Sequence, residues 1–155
     1  MHLTPVRAGG APPAVVVIAA ARWADVPVEA VSTLTEVARA RPVYYVEPPL
    51  AVGAARLAVI SAEPSGPVER VWLAVPGIGE VAFDDVRAAD YPALLATWLH
   101  HRRAEHRDVW LCERSAHELA IALLPGRLVL DPPVRCCAKA SGPSDGDLAP
   151  AAAGL

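Results

Sequence analysis

The apolar run at residues 14–19 (AVVVIA) constrains the fold of this chain more than any other stretch. Because the run is rich in β-branched residues and shows no polar alternation, it predicts a strand that is covered on both faces, as in a parallel sheet. A helix is predicted next, with Asp25 as its N-cap and Pro42 just after its end. The run at 43–46 (VYYV) then predicts a second buried strand. The apolar stripe of the helix consists of Val28, Val31, Leu34, Val37 and Ala38.

The rest of the chain continues the alternation of strands and helices. Residues 63–67 are turn-forming and lie between two predicted strands, so we expect a hairpin or two short edge strands there. Residues 77–89 are predicted to form a loop. Two helices follow. The first has Asp90 as its N-cap and an apolar stripe that consists of Tyr91, Leu94, Leu95, Trp98 and Leu99. The second is opened by the capping box S-x-x-E at residues 115–118. The strands predicted for this part are residues 56–62, 68–75, 109–112 and 128–130.

The order strand, helix, strand is the opening unit of a Rossmann-like sheet. At 155 residues, 54% of them hydrophobic, the chain has the length and composition of one domain with a substantial core. We therefore predict a single α/β domain at residues 14–133, built as a three-layer Rossmann-like fold with a mainly parallel sheet. Residues 1–13 are predicted to be a flexible leader, and residues 134–155 a disordered tail.

Composition excludes several classes of protein. The formal net charge of -3 argues against nucleic acid as a main partner. No stretch reaches the roughly 18 uninterrupted apolar residues that predict a transmembrane helix. The first residues lack the pattern of a secretory signal, so we expect a cytoplasmic protein.

Cysteine and histidine spacings do not predict a metal site. The adjacent residues Cys136 and Cys137 seldom bridge each other without strain and are expected to be free thiols, as is Cys112. Histidines 100 and 101 are also adjacent, and on a helix their side chains diverge by about 100°. A grouping of His117 with Cys112 and Glu113 as base and nucleophile is less favoured than a structural role for them, because Cys112 ends a buried strand.

A dinucleotide site is not favoured at the first turn. The fingerprint G-x-G-x-x-G belongs directly after the first strand, where the backbone must approach the pyrophosphate, and residues 20–24 contain no glycine. A partial match occurs later, at Gly77 and Gly79, and a plain loop is the preferred interpretation of it. A small NAD(P)-binding Rossmann protein remains the alternative, and it requires these two glycines to lie at a helix N-terminus.

The candidate ligand-binding residues lie where strands of the predicted sheet end, because ligands bind at the carboxyl edge of such sheets. Arg22 could hold an anionic group, and Trp23 could stack on a sugar ring. Glu47 could accept hydrogen bonds from hydroxyl groups, and Asp131 ends the last strand. Each has a structural alternative: Trp23 could cover the end of the sheet, and the charged side chains could be solvated.

The chain resembles the N-terminal domain of bacterial GT-B glycosyltransferases of the family 1 and family 4 type. The resemblance lies in Arg22-Trp23, in the segment VYYVEPP at 43–49, and in the order of VWLC at 109–112 and RLVLD at 127–131. It departs from the family at Asp25, where Gln-Arg-Pro is common before the helix, and in its short segment after residue 131.

The resemblance implies a function on the acceptor side of a glycosyltransferase. The donor sugar nucleotide, a co-substrate rather than a cofactor, would be bound mainly by a second domain that is not recognised in this sequence. We therefore expect a truncated or split glycosyltransferase, or an accessory subunit without independent catalysis. Its expected partners are a donor-domain protein or a second copy of the chain, together with a carbohydrate-type acceptor.

Overall fold

The computed structural model describes residues 12–130 and 132–134, which form a seven-stranded sheet with helices on both faces. The predicted α/β, Rossmann-like fold with a mainly parallel sheet is confirmed. The strands are β1 Ala14–Ile18, β2 Val43–Val46, β3 Leu50–Val52, β4 Val59–Ser65, β5 Val68–Pro76, β6 Arg107–Leu111 and β7 Arg127–Val129. The helices are α1 Val28–Ala40, α2 Tyr91–His101 and α3 His117–Ala122. Three 3-10 turns lie at Trp23–Asp25, Val86–Ala88 and Arg114–Ala116.

The strand order is β3-β5-β2-β1-β6-β7, and β4 pairs antiparallel with the remaining edge of β5. All the other pairings are parallel. Strands β2 and β3 lie end to end along the same edge of β5, with Val43 opposite Val68 and Leu50 opposite Ala74. The chain bends between them at residues 47–49. Because β1 lies between β2 and β6, the loops after β1 and β6 diverge and leave a crevice at the carboxyl edge of the sheet.

Two hydrophobic cores, one on each face of the sheet, produce the three layers. Alternate residues of β1 point to opposite faces, so Val15 and Val17 pack on the side of α1, whereas Val16 and Ile18 pack on the side of α2 and α3. All four side chains are fully buried. The continuous apolar run of the first strand therefore reflects its central position in the sheet.

The first helix starts later than the sequence predicts. Asp25 is not its N-cap, because it belongs to the 3-10 turn, and Pro27 occupies the N-cap position. Val26 precedes a proline, which disfavours helical backbone, and it is extended with ψ 139°. Val28, predicted to lie in the apolar stripe, is 71% exposed, and the buried residues of the helix are Ala30 and Leu34.

The predicted capping box of the third helix is wrong. The carboxylate of Glu113 accepts a hydrogen bond from the backbone N–H of Ser115, and Ala116 is the N-cap of α3. Glu113 is extended and is the N-cap of the 3-10 turn after β6, so its side chain accepts from an N–H of that turn. Asp90 does lie at the N-cap of α2, without a hydrogen bond from its side chain.

The hairpin predicted after residue 56 is present as β4 and β5, with β5 inside the sheet rather than at its edge. Strand β3 was not predicted. The predicted leader and tail lie outside the described residues, except for residues 12, 13 and 134. Val134 is buried and belongs to the core on the side of α1.

Candidate functional site

A cleft of about 640 Å³ lies at the carboxyl edge of the sheet. Loops after four strands line it, and they comprise residues 20–22 after β1, 48–50 after β2, 79–83 after β5, and Glu113 with Ser115 after β6. Asp25 completes the described lining on the side of α1. The cleft therefore lies at the point where the strand order changes direction, which is where open α/β sheets bind their ligands.

Arg22 lines the cleft and forms its floor together with residues 48–49. Its Nη1 atom donates a hydrogen bond of 3.1 Å to Oε2 of Glu47. Its Nη2 atom donates to the carbonyl oxygens of Pro48 and Pro49, at 3.0 and 2.8 Å. The guanidinium thereby holds the bend between β2 and β3, whose two prolines lack backbone donors of their own.

Glu47 lies beneath the cleft and is 1% exposed. Its Oε1 atom accepts a hydrogen bond of 2.7 Å from Nε of Arg70 and one of 3.3 Å from the backbone N–H of Trp23. The carboxylate thus has an ion pair on each side, with Arg22 and with Arg70. Its hydrogen bond is the largest cause of the raised pKa of Arg70. Burial of a carboxylate is costly unless it is paired, and here the pairing is complete.

Trp23 packs on the side of α1, outside the described lining of the cleft. Its ring meets that of Tyr45 edge to face, with centroids 5.0 Å apart. The Tyr45 hydroxyl donates a hydrogen bond of 2.6 Å to the carbonyl oxygen of Ala21. These contacts fix the turn after β1 and so set the position of Arg22.

Tyr91, at the start of α2, supports the same bend from the other face of the sheet. Its hydroxyl donates a hydrogen bond of 2.8 Å to the backbone carbonyl of Glu47. Burial, and then the nearby carboxylate of Glu47, raise the pKa of Tyr91 well above its usual range. The hydroxyl is therefore a neutral donor at any physiological pH.

The turn after β6 brings Glu113 and Ser115 to the opposite wall of the cleft. The Glu113 carboxylate accepts the backbone N–H of Ser115 at 3.0 Å, while the serine side chain is exposed. With Asp25 and Glu80, three carboxylates line the cleft. Arg22 is the basic residue among the described lining, and Glu47 already pairs with it.

Gly77 and Gly79 lie at the start of the loop after β5, and residues 79–83 of this loop line the cleft. Both have left-handed backbone, with φ of 113° and 88°, and Glu80 makes an isolated antiparallel bridge to Leu50. No helix starts at these glycines, because the next helical element in the described structure is the 3-10 turn at Val86–Ala88. Arg87 steadies the loop by pairing with Asp85 at 3.1 Å, and its hydrogen bonds lower the pKa of that carboxyl.

The predicted site residues are thus placed at different depths. Arg22 lies at the surface of the cleft, Glu47 is buried below it, and Trp23 lies to one side. Asp131 is outside the described residues. The role predicted for each of them in ligand binding stays a prediction. Gly79 lines the cleft as well, whereas Gly77 is outside its described lining.

Arg70, Tyr91 and Glu80 were not proposed as site residues from the sequence, and Glu113 was considered only together with Cys112 and His117. Glu113 directly follows a buried strand, so the rule that selected Glu47 would also have selected it. Arg70 interrupts an apolar strand, which signals a charged partner nearby. Tyr91 and Glu80 carry no such signal, since a tyrosine in a helical stripe and a glutamate in a loop are both common.

Residues 12–130 and 132–134 hold no cluster of His, Cys, Asp and Glu side chains that could bind a metal ion. Within the same ranges, no helix has the length and hydropathy that crossing a membrane requires. Nδ1 of His100 lies 3.1 Å from Oε1 of Glu105 on an exposed surface, and neither residue belongs to the described lining of the cleft.

No protein-family model matches this chain, and no curated protein matches it. It is similar to a solved structure described as "Trehalose-6-phosphate from E. coli bound with UDP-2-fluoro glucose". The similarity has a TM-score of 0.45 and a sequence identity of 14%, and it covers 72% of this chain and 30% of that one. This chain thus matches less than a third of the length of that structure.

Proposed function

We propose that this domain binds a carbohydrate-type acceptor in the cleft, as the acceptor-side part of a glycosyltransferase. The observation that carries the proposal is the position of the cleft, at the carboxyl ends of β1, β2 and β6, with carboxylates and the Ser115 side chain around it. Carboxylates accept hydrogen bonds from sugar hydroxyls, and a volume of about 640 Å³ is in the range of small-molecule sites. Of the motifs that resemble glycosyltransferases, Arg22 and residues 48–49 form the floor of this cleft, and Trp23 and Glu47 contact that floor from the side and from below.

The donor nucleotide is proposed to bind elsewhere, to a second domain of the same polypeptide or of a separate protein. In support, the turn after β1 has no glycine that would let the backbone approach a pyrophosphate. We therefore expect the chain alone to turn over no sugar nucleotide. Incubation with UDP-glucose and free sugars, followed by chromatography of the nucleotide, tests this, and release of UDP would contradict it.

The NAD(P)-binding alternative is less well supported. It required Gly77 and Gly79 to lie at a helix N-terminus, and the next helical turn begins only at Val86. Thermal-shift measurements with NAD(P) and with free sugars compare the two functions directly, since a ligand that binds the folded state raises Tm. Stabilisation by NAD(P) alone would favour the alternative.

Binding can be located with a pair of matched variants. Ala82 is exposed and lines the cleft, so Ala82→Trp should fill part of it without disturbing the core. Ala93 is also exposed, on α2 and outside the described lining, and Ala93→Trp is the control. Saturation-transfer NMR with a panel of mono- and disaccharides should show signals that Ala82→Trp abolishes and Ala93→Trp keeps. Signals that persist in Ala82→Trp, or no signal for any sugar, would overturn the proposal.

A further inference from the structure

Two backbone N–H groups beside the crevice are already bound by carboxylates of the protein. After β1, the N–H of Trp23 donates to Oε1 of Glu47 at 3.3 Å. After β6, the N–H of Ser115 donates to Oε1 of Glu113 at 3.0 Å. These turns follow the two strands that flank the point where the strand order reverses.

In α/β sheets, N–H groups of such turns are the usual donors to a phosphate, because they point out of the carboxyl edge. Here each turn contributes a donor to an internal anion. A phosphate would have to displace Glu47, which is buried and paired with two arginines, or Glu113. Both displacements leave a carboxylate close to the incoming negative charge, which is unfavourable.

The side chains of the cleft reinforce this exclusion. Nη1 of Arg22 donates a hydrogen bond to Glu47, and Nη2 donates to the carbonyl oxygens of residues 48–49. The other charged groups of the described lining are the carboxylates of Asp25, Glu80 and Glu113. The cleft therefore presents a negative field, which repels anions and attracts cations.

We infer that the ligand of this cleft is a sugar without phosphate, and that an amino group on the sugar strengthens binding. The inference rests on the proposed function and specifies its acceptor. Hydroxyl groups donate to the carboxylates, and an ammonium group gains the attraction of the same charges. A phosphorylated sugar or a nucleotide is repelled by the three carboxylates of the described lining.

Three probes of similar size separate these possibilities, namely glucosamine, glucose and glucose 6-phosphate. Their affinities are compared by titrating ¹⁵N-labelled protein and following the amide signals of Leu50, Glu80 and Ser115. We expect glucosamine to bind more tightly than glucose by about two- to fivefold, the range of partly exposed ion pairs. Glucose 6-phosphate should bind at least about tenfold more weakly than glucose. Added salt should weaken the binding of glucosamine and leave that of glucose unchanged.

Glu80→Gln tests whether the carboxylates produce the preference. Glu80 is exposed in the described structure, so its loss should leave the fold intact, and the preference for glucosamine over glucose should fall. Glu118→Gln, an exposed change on α3 outside the described lining, is the control and should keep the preference. An unchanged preference in Glu80→Gln would contradict the electrostatic explanation.

The outcomes also separate this inference from the proposed function. If glucose 6-phosphate binds in the cleft as tightly as glucose or more so, the inference is overturned while carbohydrate binding stands. If glucose and glucosamine bind equally at low salt, the part concerning the amino group is overturned. If none of the three probes, and no sugar of the wider panel, shifts the cleft amides, the proposed function fails and the inference fails with it.

Discussion

Nε of Arg70 lies 2.7 Å from Oε1 of Glu47, so a residue of β5 holds one carboxylate oxygen while Arg22 holds the other. Arg70 also stacks over the ring of Trp72, with its guanidinium carbon 5.4 Å from the ring centroid. Glu47 therefore connects the floor of the cleft with the interior strand of the sheet. The bend at 47–49 that shapes the cleft depends on an ion-pair network rather than on apolar packing alone.

Removal of Glu47 should destabilise the domain strongly. Glu47→Ala leaves Arg22 and Arg70 without their partner and the N–H of Trp23 without its acceptor. Loss of one partner of a buried ion pair costs about 3–5 kcal/mol, and because both arginines are partly exposed we expect about 3 kcal/mol. Urea unfolding followed by tryptophan fluorescence measures the free energy of unfolding.

The matched control for this change is Glu36→Ala. Glu36 pairs with Arg39 on the exposed surface of α1, at 2.7 Å. Exposed pairs of this kind contribute about 0.3–0.5 kcal/mol, so the control should cost little. Equal losses in Glu47→Ala and Glu36→Ala would show that the buried network does not hold the bend.

Tyr91 should make the domain sensitive to alkaline pH. Its pKa is raised in the folded state, so above about pH 10 the unfolded chain releases this proton while the folded chain retains it. The free energy of unfolding therefore falls as pH rises, by up to about 1.4 kcal/mol per pH unit from this residue. The contribution is complete below about pH 10 and is lost progressively above it.

The variant Tyr91→Phe isolates that effect. It should cost about 1–2 kcal/mol at neutral pH, because the carbonyl oxygen of Glu47 loses its donor. Its free energy of unfolding should then fall less steeply above about pH 10, with a remaining slope from Tyr44, whose pKa is raised by burial and by Glu69. If the free energy of unfolding falls equally steeply with pH in the wild type and in Tyr91→Phe, the alkaline sensitivity does not come from Tyr91.

Gly77 should be needed for the loop that walls the cleft. Its φ of 113° is strained for any L side chain, and an added Cβ would lie 2.9 Å from Nη1 of Arg87. We expect Gly77→Ala to destabilise by about 1–2 kcal/mol. Gly53 has open space around its Cβ position, so Gly53→Ala is the control and should be neutral or slightly stabilising. Thermal unfolding measures both effects, and a loss for Gly77→Ala no larger than that for Gly53→Ala would contradict the prediction.

The turn before α3 should depend on Glu113 and not on Ser115. Glu113→Ala removes the acceptor of the Ser115 N–H and should cost about 1 kcal/mol, the usual value of a capping side chain. Ser115→Ala should cost less than about 0.5 kcal/mol, because no capping bond is made by that side chain. If chemical denaturation shows a larger loss for Ser115→Ala than for Glu113→Ala, Ser115 caps the helix as the S-x-x-E pattern predicts.

The sequence predicts this fold well where a single local rule acts. The buried run of β1 and the stripe from Tyr91 to Leu99 were located correctly, since burial on two faces and helical periodicity leave clear patterns. The start of α1 was wrong because two local signals compete there, and the backbone restriction before Pro27 overrides the N-cap preference of Asp25. The short strand β3 was missed because tertiary pairing with β5, rather than its own composition, makes it a strand.

The candidate site was predictable only in part for a related reason. Placement at the end of a strand indicates Arg22 and Glu47, but it does not tell whether a side chain faces a ligand or another residue. Arg70 follows Glu47 by 23 positions and reaches it only because β2 and β5 are neighbours. The order of strands in the sheet, which no local pattern encodes, decides that contact.

The carboxylate of Glu47 also limits how this cleft could change during evolution. A switch to a phosphate-bearing ligand would favour variants that release the N–H of Trp23, and the direct route is loss of Glu47. The same loss removes the partner of two arginines and lowers the stability of the whole domain. The free energy of unfolding of most domains is only about 5–15 kcal/mol, so such lineages would need compensating substitutions first. The specificity proposed for this cleft is thereby tied to the stability of the fold.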